Sequence, residues 1–486
     1  MTPTRRQFLA SMAAGIGARL AQPLPLVAAG SPLVVYPELE RRLRIEADRR
    51  ATTLGPDSTL RLDGATAIVA PDLADTAVDA ARRSVGPTLP PDGLAVWAID
   101  VPQTTYVAGT VEIVPPRDLR PGLRATVLSD TTIVGVPMLS APAWGIDDVT
   151  DPAPFVEGRD PPRLANLAEW RLTAGRHYLT VAGPHFRSAG QLLALTLRTT
   201  GRPVDEPLYR FALIGDTHVR FEGREDWMNR KMGEATAAEF ARTLHALAAE
   251  GLDFVVHGGD MTERARREEF ALMAGILESQ PLPVYGCIGN HDRYLVTSRP
   301  DARELLADHF PGRELSYQLV RPPLRFVVFD VEIEEPAMQE HQRAWLRDSL
   351  AADRDTPTVV VWHYAPFNRG GVSSCGFRLH DWSELGKKAV LDVVRDAPHV
   401  FATLNGHDHW DEVNVVGGLT HIQNAAFVEW PNSYRVFGVY ADRIEWEVRQ
   451  VGNRGFIRES FLPDKAVSWM IATGEDDLTG TVSYRR

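Results

Sequence analysis

Tyr209-Arg210-Phe211-Ala212-Leu213-Ile214-Gly215-Asp216-Thr217-His218 is the stretch whose reading decides the fold of the larger part of the chain. A mainly apolar run reads as a buried strand, and the glycine that ends it lets the backbone turn sharply. Two metal-type donors, an aspartate and a histidine, follow at once. The same grammar recurs downstream. Asp253 to Val256 leads into Gly258-Gly259-Asp260, and Pro283 to Ile288 leads into Gly289-Asn290-His291-Asp292. Thr358 to Trp362 leads into His363, and Val400 to Leu404 into Gly406-His407-Asp408-His409; Arg325 to Phe329 reads as one more strand. Helical stretches alternate with these runs. Phe240, Leu244 and Leu247 form an apolar stripe that ends at Gly251. Thr262 is placed to cap a second helix carrying Phe270, Met273 and Leu277, and a third carries Trp345, Leu346 and Leu350. Strands buried on both faces and joined through helices predict an α/β domain whose ligands sit beyond the strand ends.

Upstream, from Ser31 to Arg202, the pattern changes to short alternating runs broken by proline and glycine. Leu94 to Val101, Tyr106 to Val114, Arg124 to Val136, Trp170 to Val181 and Gln191 to Leu197 read as strands, with a helical start near Glu38 to Arg50. A β-sandwich is the usual packing solution for so many short strands. No group of titratable residues marks a site in it. Further upstream, Arg5-Arg6 precedes a short apolar stretch and Val27-Ala28-Ala29. This resembles a twin-arginine signal peptide cleaved near Ala29; the rival reading is an uncleaved anchor, for which the stretch falls short of the ~20 residues a spanning helix needs. The expected organisation is 1–29 signal peptide, 31–202 β-sandwich, 205–450 catalytic domain and 451–486 C-terminal extension. The destination would be the periplasm or the medium, reached through the twin-arginine export machinery.

The 486 residues include 52 basic and 64 acidic side chains, a formal charge of −12. Loss of the leader, with Arg5, Arg6 and Arg19 and no acid, makes it −15. That balance argues against a stable nucleic-acid complex, which needs a broad basic surface. Lysine is scarce: Lys231, Lys387, Lys388 and Lys465. The two cysteines, Cys287 and Cys375, supply neither a disulfide framework nor a thiolate zinc site on their own.

Loops at the same end of neighbouring strands converge, so the motifs bring together carboxylates, an amide and several imidazoles. Nitrogen and oxygen donors without thiolate suit Zn, Mn, Fe, Co or Ni. One Asp-x-His pair is weak evidence, whereas five motifs in order, each at a strand end, are strong evidence.

The series G-D-x-H, G-G-D, G-N-H-D, the His363 strand and G-H-x-H resembles the calcineurin-like metallophosphoesterase family over about Leu208 to Val448. Gln342, Trp345 and Leu346, then Tyr434-Arg435-Val436 and Asp442-Arg443-Ile444, extend the match. The resemblance implies an α+β fold, a four-layer α/β/β/α sandwich, here preceded by an N-terminal all-β domain. It implies two divalent or trivalent metal ions. Asp216, His218, Asp260 and His409 would hold one; Asn290, His363 and His407 would hold the other, with Asp260 bridging. His291 would contact the phosphoryl group and the leaving oxygen, with Asp292 orienting it. A metal-bridging hydroxide would then attack phosphorus in line. Arg220, Arg293, Tyr294, Tyr364, Asn368 and His380 are candidates for contacts to a small phosphoester. Purple acid phosphatases place a tyrosine three residues after the bridging aspartate and a glycine where this chain has His218; here the first of those positions is Glu263. Both departures favour the phosphodiesterase branch. Phosphomonoester hydrolysis, and an envelope-binding role dominated by the β-sandwich, stay open, as does the oligomeric state. His257 reads as a packed strand residue, and His245, His309 and His341 as helix residues outside the site.

Overall fold

The structure, a computed structural model, describes residues 32–70, 88–89, 93–114, 125–136, 163–183, 190–330, 336–366, 384–462 and 473–484. The leader, Asn368, Cys375 and His380 lie outside the described residues. Contacts divide the chain into two compact units. One includes Pro207–Leu462 and Gly480–Arg486, the other Pro32–Glu206 and Pro463–Thr479. Residues beyond 450 are thus shared between the two.

In the first unit the apolar runs form two mixed sheets. Tyr209–Ile214, Phe254–His257 and Val284–Gly286 lie parallel, with Ser433–Val439 and then Arg443–Gln450 antiparallel on the other side. The second sheet has the order Tyr317–Arg321, Leu324–Val328, Thr358–Tyr364, Val400–Gly406, Leu419–Gln423, Glu412–Val416, with its four inner strands parallel. Phe211 shows how the sheets meet. Its ring stacks on Phe254 at 5.2 Å and Phe437 at 4.7 Å within its own sheet, and meets Phe326 of the other sheet edge-on at 5.2 Å. Helix Gly233–Ala249 sets Phe240 against His257, rings 5.8 Å apart. Leu346 and Leu350 of helix Pro336–Ala352 and Val390 and Val394 of helix Glu384–Arg395 join Val327, Val360 and Trp362 in one core. Each such buried side chain contributes roughly 1.5–3 kcal/mol. The fold of this unit is mixed α+β.

One helix end differs from expectation. The second helix runs Arg267–Glu278, and Glu269 Oε2 accepts from the N–H groups of Arg264 and Arg266 at its start. Thr262 does not cap it: the cap position is Arg266, four residues on, and Thr262 donates its N–H and hydroxyl to Asp292 instead.

The second unit opens with helix Pro32–Asp48, so it is not purely β. Leu94–Val101 pairs with Gly175–Ala182, which continues to Thr126–Ser129 and Thr132–Gly135. A second sheet runs Thr59–Asp63, Gly190–Thr199, Thr105–Val114, Arg163–Leu172. Trp97, Ile99, Val127 and Leu179 from the first and Leu62, Val111, Trp170 and Leu195 from the second close one apolar core. The run from Arg124 to Val136 is a hairpin rather than one strand: Asp130 turns it at φ 54°, and its carboxylate accepts from the Tyr178 N–H. Among the described residues no helix is long and apolar enough to cross a membrane, and Cys287 is a buried free thiol.

Candidate metal centre

The ladder of the first sheet continues past its strands. Asp216 N–H donates to Gly259 O at 2.9 Å, His218 N–H to Asp260 O at 3.0 Å and Val219 N–H to Met261 O at 2.9 Å. Two strand-end loops are thereby held side by side, with their aspartates adjacent. Asp216, His218, Asp260, His407 and His409 all have φ between 43° and 77°. That left-handed conformation costs a non-glycine residue roughly 1–3 kcal/mol, and such outliers cluster where function demands them. Two glycines allow the loops to approach. A Cβ on Gly406 would lie 2.4 Å from Asp216 Oδ2, and one on Gly289 would lie 2.1 Å from Asp260 Oδ1.

All seven expected ligands converge. The donor atoms of Asp216, His218 and His409 lie within 4.8 Å of one another, as do those of Asp260, His363 and His407. Asn290 Oδ1 joins the second group, 3.1 Å from His363 Nε2 and 3.0 Å from His407 Nδ1. Asp260 also reaches across to the first, with Oδ2 3.7 Å from His218 Nε2 and 3.2 Å from His363 Nε2.

The outer nitrogens of two imidazoles are hydrogen-bonded elsewhere and that of a third meets a carboxylate, which aims the inner ones into the cluster. His363 Nδ1 donates to Gly258 O at 2.9 Å, His409 Nδ1 pairs with Glu429, and His218 Nδ1 lies 2.9 Å from Glu263 Oε2. Both nitrogens of His218 are buried without a hydrogen bond, and Nδ1 meets Glu263 only as a close ion-pair contact. A buried donor set of imidazoles and carboxylates with an unpartnered nitrogen fits a divalent cation. The electrostatics agree. Burial alone would lower His363 and His409, but Asp260 lifts the first to about 9, and Glu429 and Asp216 lift the second to about 10. Burial and the Lys231 charge press His218 down to about 4. Carboxylates that hold protons on imidazoles this firmly would equally hold cations.

Asp292 departs from its expected role. It is fully buried, and its carboxylate accepts from Met261 N, Gly289 N, Thr262 N and Thr262 Oγ1 at 2.8 to 3.1 Å, with no bond to the His291 ring. Burial and the nearby Asp260 charge push its carboxyl up to about 7. Asp292 therefore fastens the Asp260 loop to the Gly289 loop. Glu263 holds the His291 ring instead, its carbonyl accepting from Nδ1 at 2.8 Å, while the His291 N–H donates to Asp260 Oδ1 at 2.8 Å. In the sequence Glu263 stands out only as the place of an absent tyrosine, and Glu429 and Lys231 belong to no motif. Scarcity of lysine was the one available signal for Lys231.

The candidate substrate contacts separate. Tyr294 is 54% exposed with its ring 4.8 Å from that of His291. Arg293 and Tyr364 bond to each other, and Tyr364 is buried. Arg220 is buried, bonded to Gly223 O and Glu225. His257 is buried, bonded to Thr217 Oγ1 at 3.0 Å, and pressed by burial to about 3, as suits a neutral packed residue.

The chain is a metal-dependent phosphoester hydrolase. Residues 209–411 match the model of the calcineurin-like phosphoesterase family, and the chain carries that domain. A glycerophosphodiester phosphodiesterase GpdQ of Enterobacter lignolyticus is 25% identical over 206 residues, 41% of this chain and 70% of that protein. A probable glycerophosphodiester phosphodiesterase GpdQ of Arcobacter nitrofigilis is 23% identical over 214 residues, 42% of this chain and 75% of that protein. A dimetal phosphatase from Danio rerio shares 18% identity at a TM-score of 0.41, covering 50% of this chain and 97% of that one.

Proposed function

We propose that the chain is an exported phosphodiesterase with a two-metal centre. The observation that carries this reading is the pair of buried donor sets joined through Asp260, with His291 against the same carboxylate. The diester preference draws on the names of the two GpdQ relatives, and export on the twin-arginine pattern at Arg5-Arg6. An α/β/β/α arrangement is supported by the meeting of Phe211 and Phe326 between helix-backed sheets.

Asp216, His218, His409 and Asp260 would hold one cation, and Asp260, Asn290, His363 and His407 the other. When bound, the cations supply Lewis-acid polarisation of the phosphoryl oxygens and a water acidified enough to attack at neutral pH. The rest falls to the chain. His291 Nδ1–H is spent on the Glu263 carbonyl, so a proton for the departing alkoxide is delivered from Nε2. The Asp260 carboxylate fixes the His291 backbone, and Asp292 keeps both loops at that spacing.

The test is turnover of bis(p-nitrophenyl) phosphate against p-nitrophenyl phosphate on metal-loaded mature protein. The expected result is a clear preference for the diester; a preference for the monoester would make the protein a phosphatase.

A further inference from the structure

Glu263 lies where three segments meet. From the first loop, His218 Nδ1 is 2.9 Å from Oε2, an ion-pair contact without an aligned hydrogen bond; from the short hairpin Glu225–Asp226 with Arg230–Lys231, Lys231 Nζ is 3.5 Å from the same oxygen. From the turn after Gly289, His291 Nδ1 is 3.7 Å from Oε1 and 2.8 Å from the Glu263 carbonyl. All of this is out of water: the side chains of Glu263, Lys231 and His218 are 6%, 4% and 1% exposed. The His218 and His291 rings stand edge to face with centroids 4.5 Å apart. Asp292, the residue next to His291 in sequence, is saturated by four donors elsewhere.

We propose that Glu263, with Lys231 behind it, is the positioning residue that ties one metal ligand, His218, to the acid, His291. A buried carboxylate 2.9 Å from the outer nitrogen of a ligating imidazole favours the proton there and strengthens the ring as a donor. A buried carboxylate so near the cluster could instead become a ligand itself. Lys231 opposes that by neutralising Glu263 at the same oxygen, Oε2, and a lysine this buried needs such a partner in turn. The same residue then serves His291 through its main-chain oxygen, so a single loop position sets both imidazoles. Sequence adjacency suggested a two-residue His–Asp unit; the geometry assigns the work to a residue 28 positions away.

The inference rests on the metal-centre reading, and the experiment separates the two. Full-length protein is stripped of metal, and its affinity for Zn²⁺ is measured by competition with a chromogenic chelator, alongside thermal melting and diester kinetics. Glu263→Gln is expected to lower Zn²⁺ affinity about 10- to 100-fold and to reduce kcat with little change in KM. His291→Ala is expected to keep wild-type affinity. Glu263→Asp, which retains the charge, falls between wild type and Glu263→Gln, and adding Lys231→Met to Glu263→Gln brings no further loss, because Lys231 acts through the carboxylate. Wild-type affinity in a folded Glu263→Gln variant overturns the inference while the metal centre stands. Absence of Zn²⁺ binding by the wild type overturns both. If the Gln variant does not fold, the Asp variant decides: affinity below wild type supports the inference, and equal affinity refutes it.

Discussion

Among the described residues of Pro32–Glu206 the non-glycine residues with positive φ are Asp57 and Asp130, both at turns, and the buried polar side chains are Ser129, Thr132, His177 and Thr180. In Pro207–Leu462 the positive-φ residues include Asp216, His218, Asp260, His407 and His409, and the buried polar side chains add Glu263, Asp292, His363 and Glu429. One unit mostly follows local preference: apolar side chains inward with exceptions such as Leu164, and aspartates at the turns. The other departs from it most densely at its strand ends, and also within strands, where Arg325 and Arg435 are buried. Departures concentrated at one end of two sheets mark where a fold has been bent to hold chemistry.

The contrast can be broken at its strongest point first. Asp260→Asn removes the charge shared by both donor sets and is expected to cost metal as well as turnover, the latter by about 10³-fold or more. His291→Ala should keep metal and lose about 10²- to 10⁴-fold in kcat. Metal analysis beside kinetics reads both, and near-normal turnover by the His291 variant would refute its role as acid. In the other unit, Trp97→Ala empties the core between the sheets and should destabilise it by about 3–5 kcal/mol. Hydrogen exchange in Leu94–Val101 and Gly175–Ala182 measures that loss. Metal loss as large as the stability loss would erase the distinction between the units.

The smallest effect is a pH dependence. His177 is nearly buried, and burial alone would lower it, but its Nδ1 is 2.7 Å from Asp130 and its Nε2 donates to Thr173 O at 2.8 Å, which together raise it above the usual value. A raised folded pKa means that the stabilisation is complete below the unfolded value of about 6.5 and is lost as pH rises through the folded one. Asp130 is 40% exposed, so the gain is less than about 1 kcal/mol. Denaturant melts of wild type and His177→Gln should differ more at about pH 5.5 than at about pH 9; equal differences would show that the pair contributes nothing.

Strands ending in Gly-x-ligand were legible because full burial on both faces writes a continuous apolar run: every residue of Thr358–Tyr364 and Val400–Gly406 is buried. Tyr317–Arg321 and Glu412–Val416 escaped because edge strands leave residues such as Val320 and Val415 exposed and carry no such run. The convergence of the seven donor residues could be read because they follow their strands in order. Their supports could not. Glu429 reaches His409 from 20 residues away, and Glu263 reaches His291 from 28, distances that only the folded chain closes. Thr262 was misread because the helix starts later than the sequence suggests, at Arg267 with Arg266 as its cap.

The His407 N–H bonds to both carboxylate oxygens of Asp216 across 191 residues of chain. During synthesis the first donors emerge long before the last, and the Glu429 that steadies His409 comes later still. No shorter nascent chain can present both donor sets, whatever cation is at hand. Retention of metal is therefore a certificate of completion, readable only once the second sheet has closed on the first.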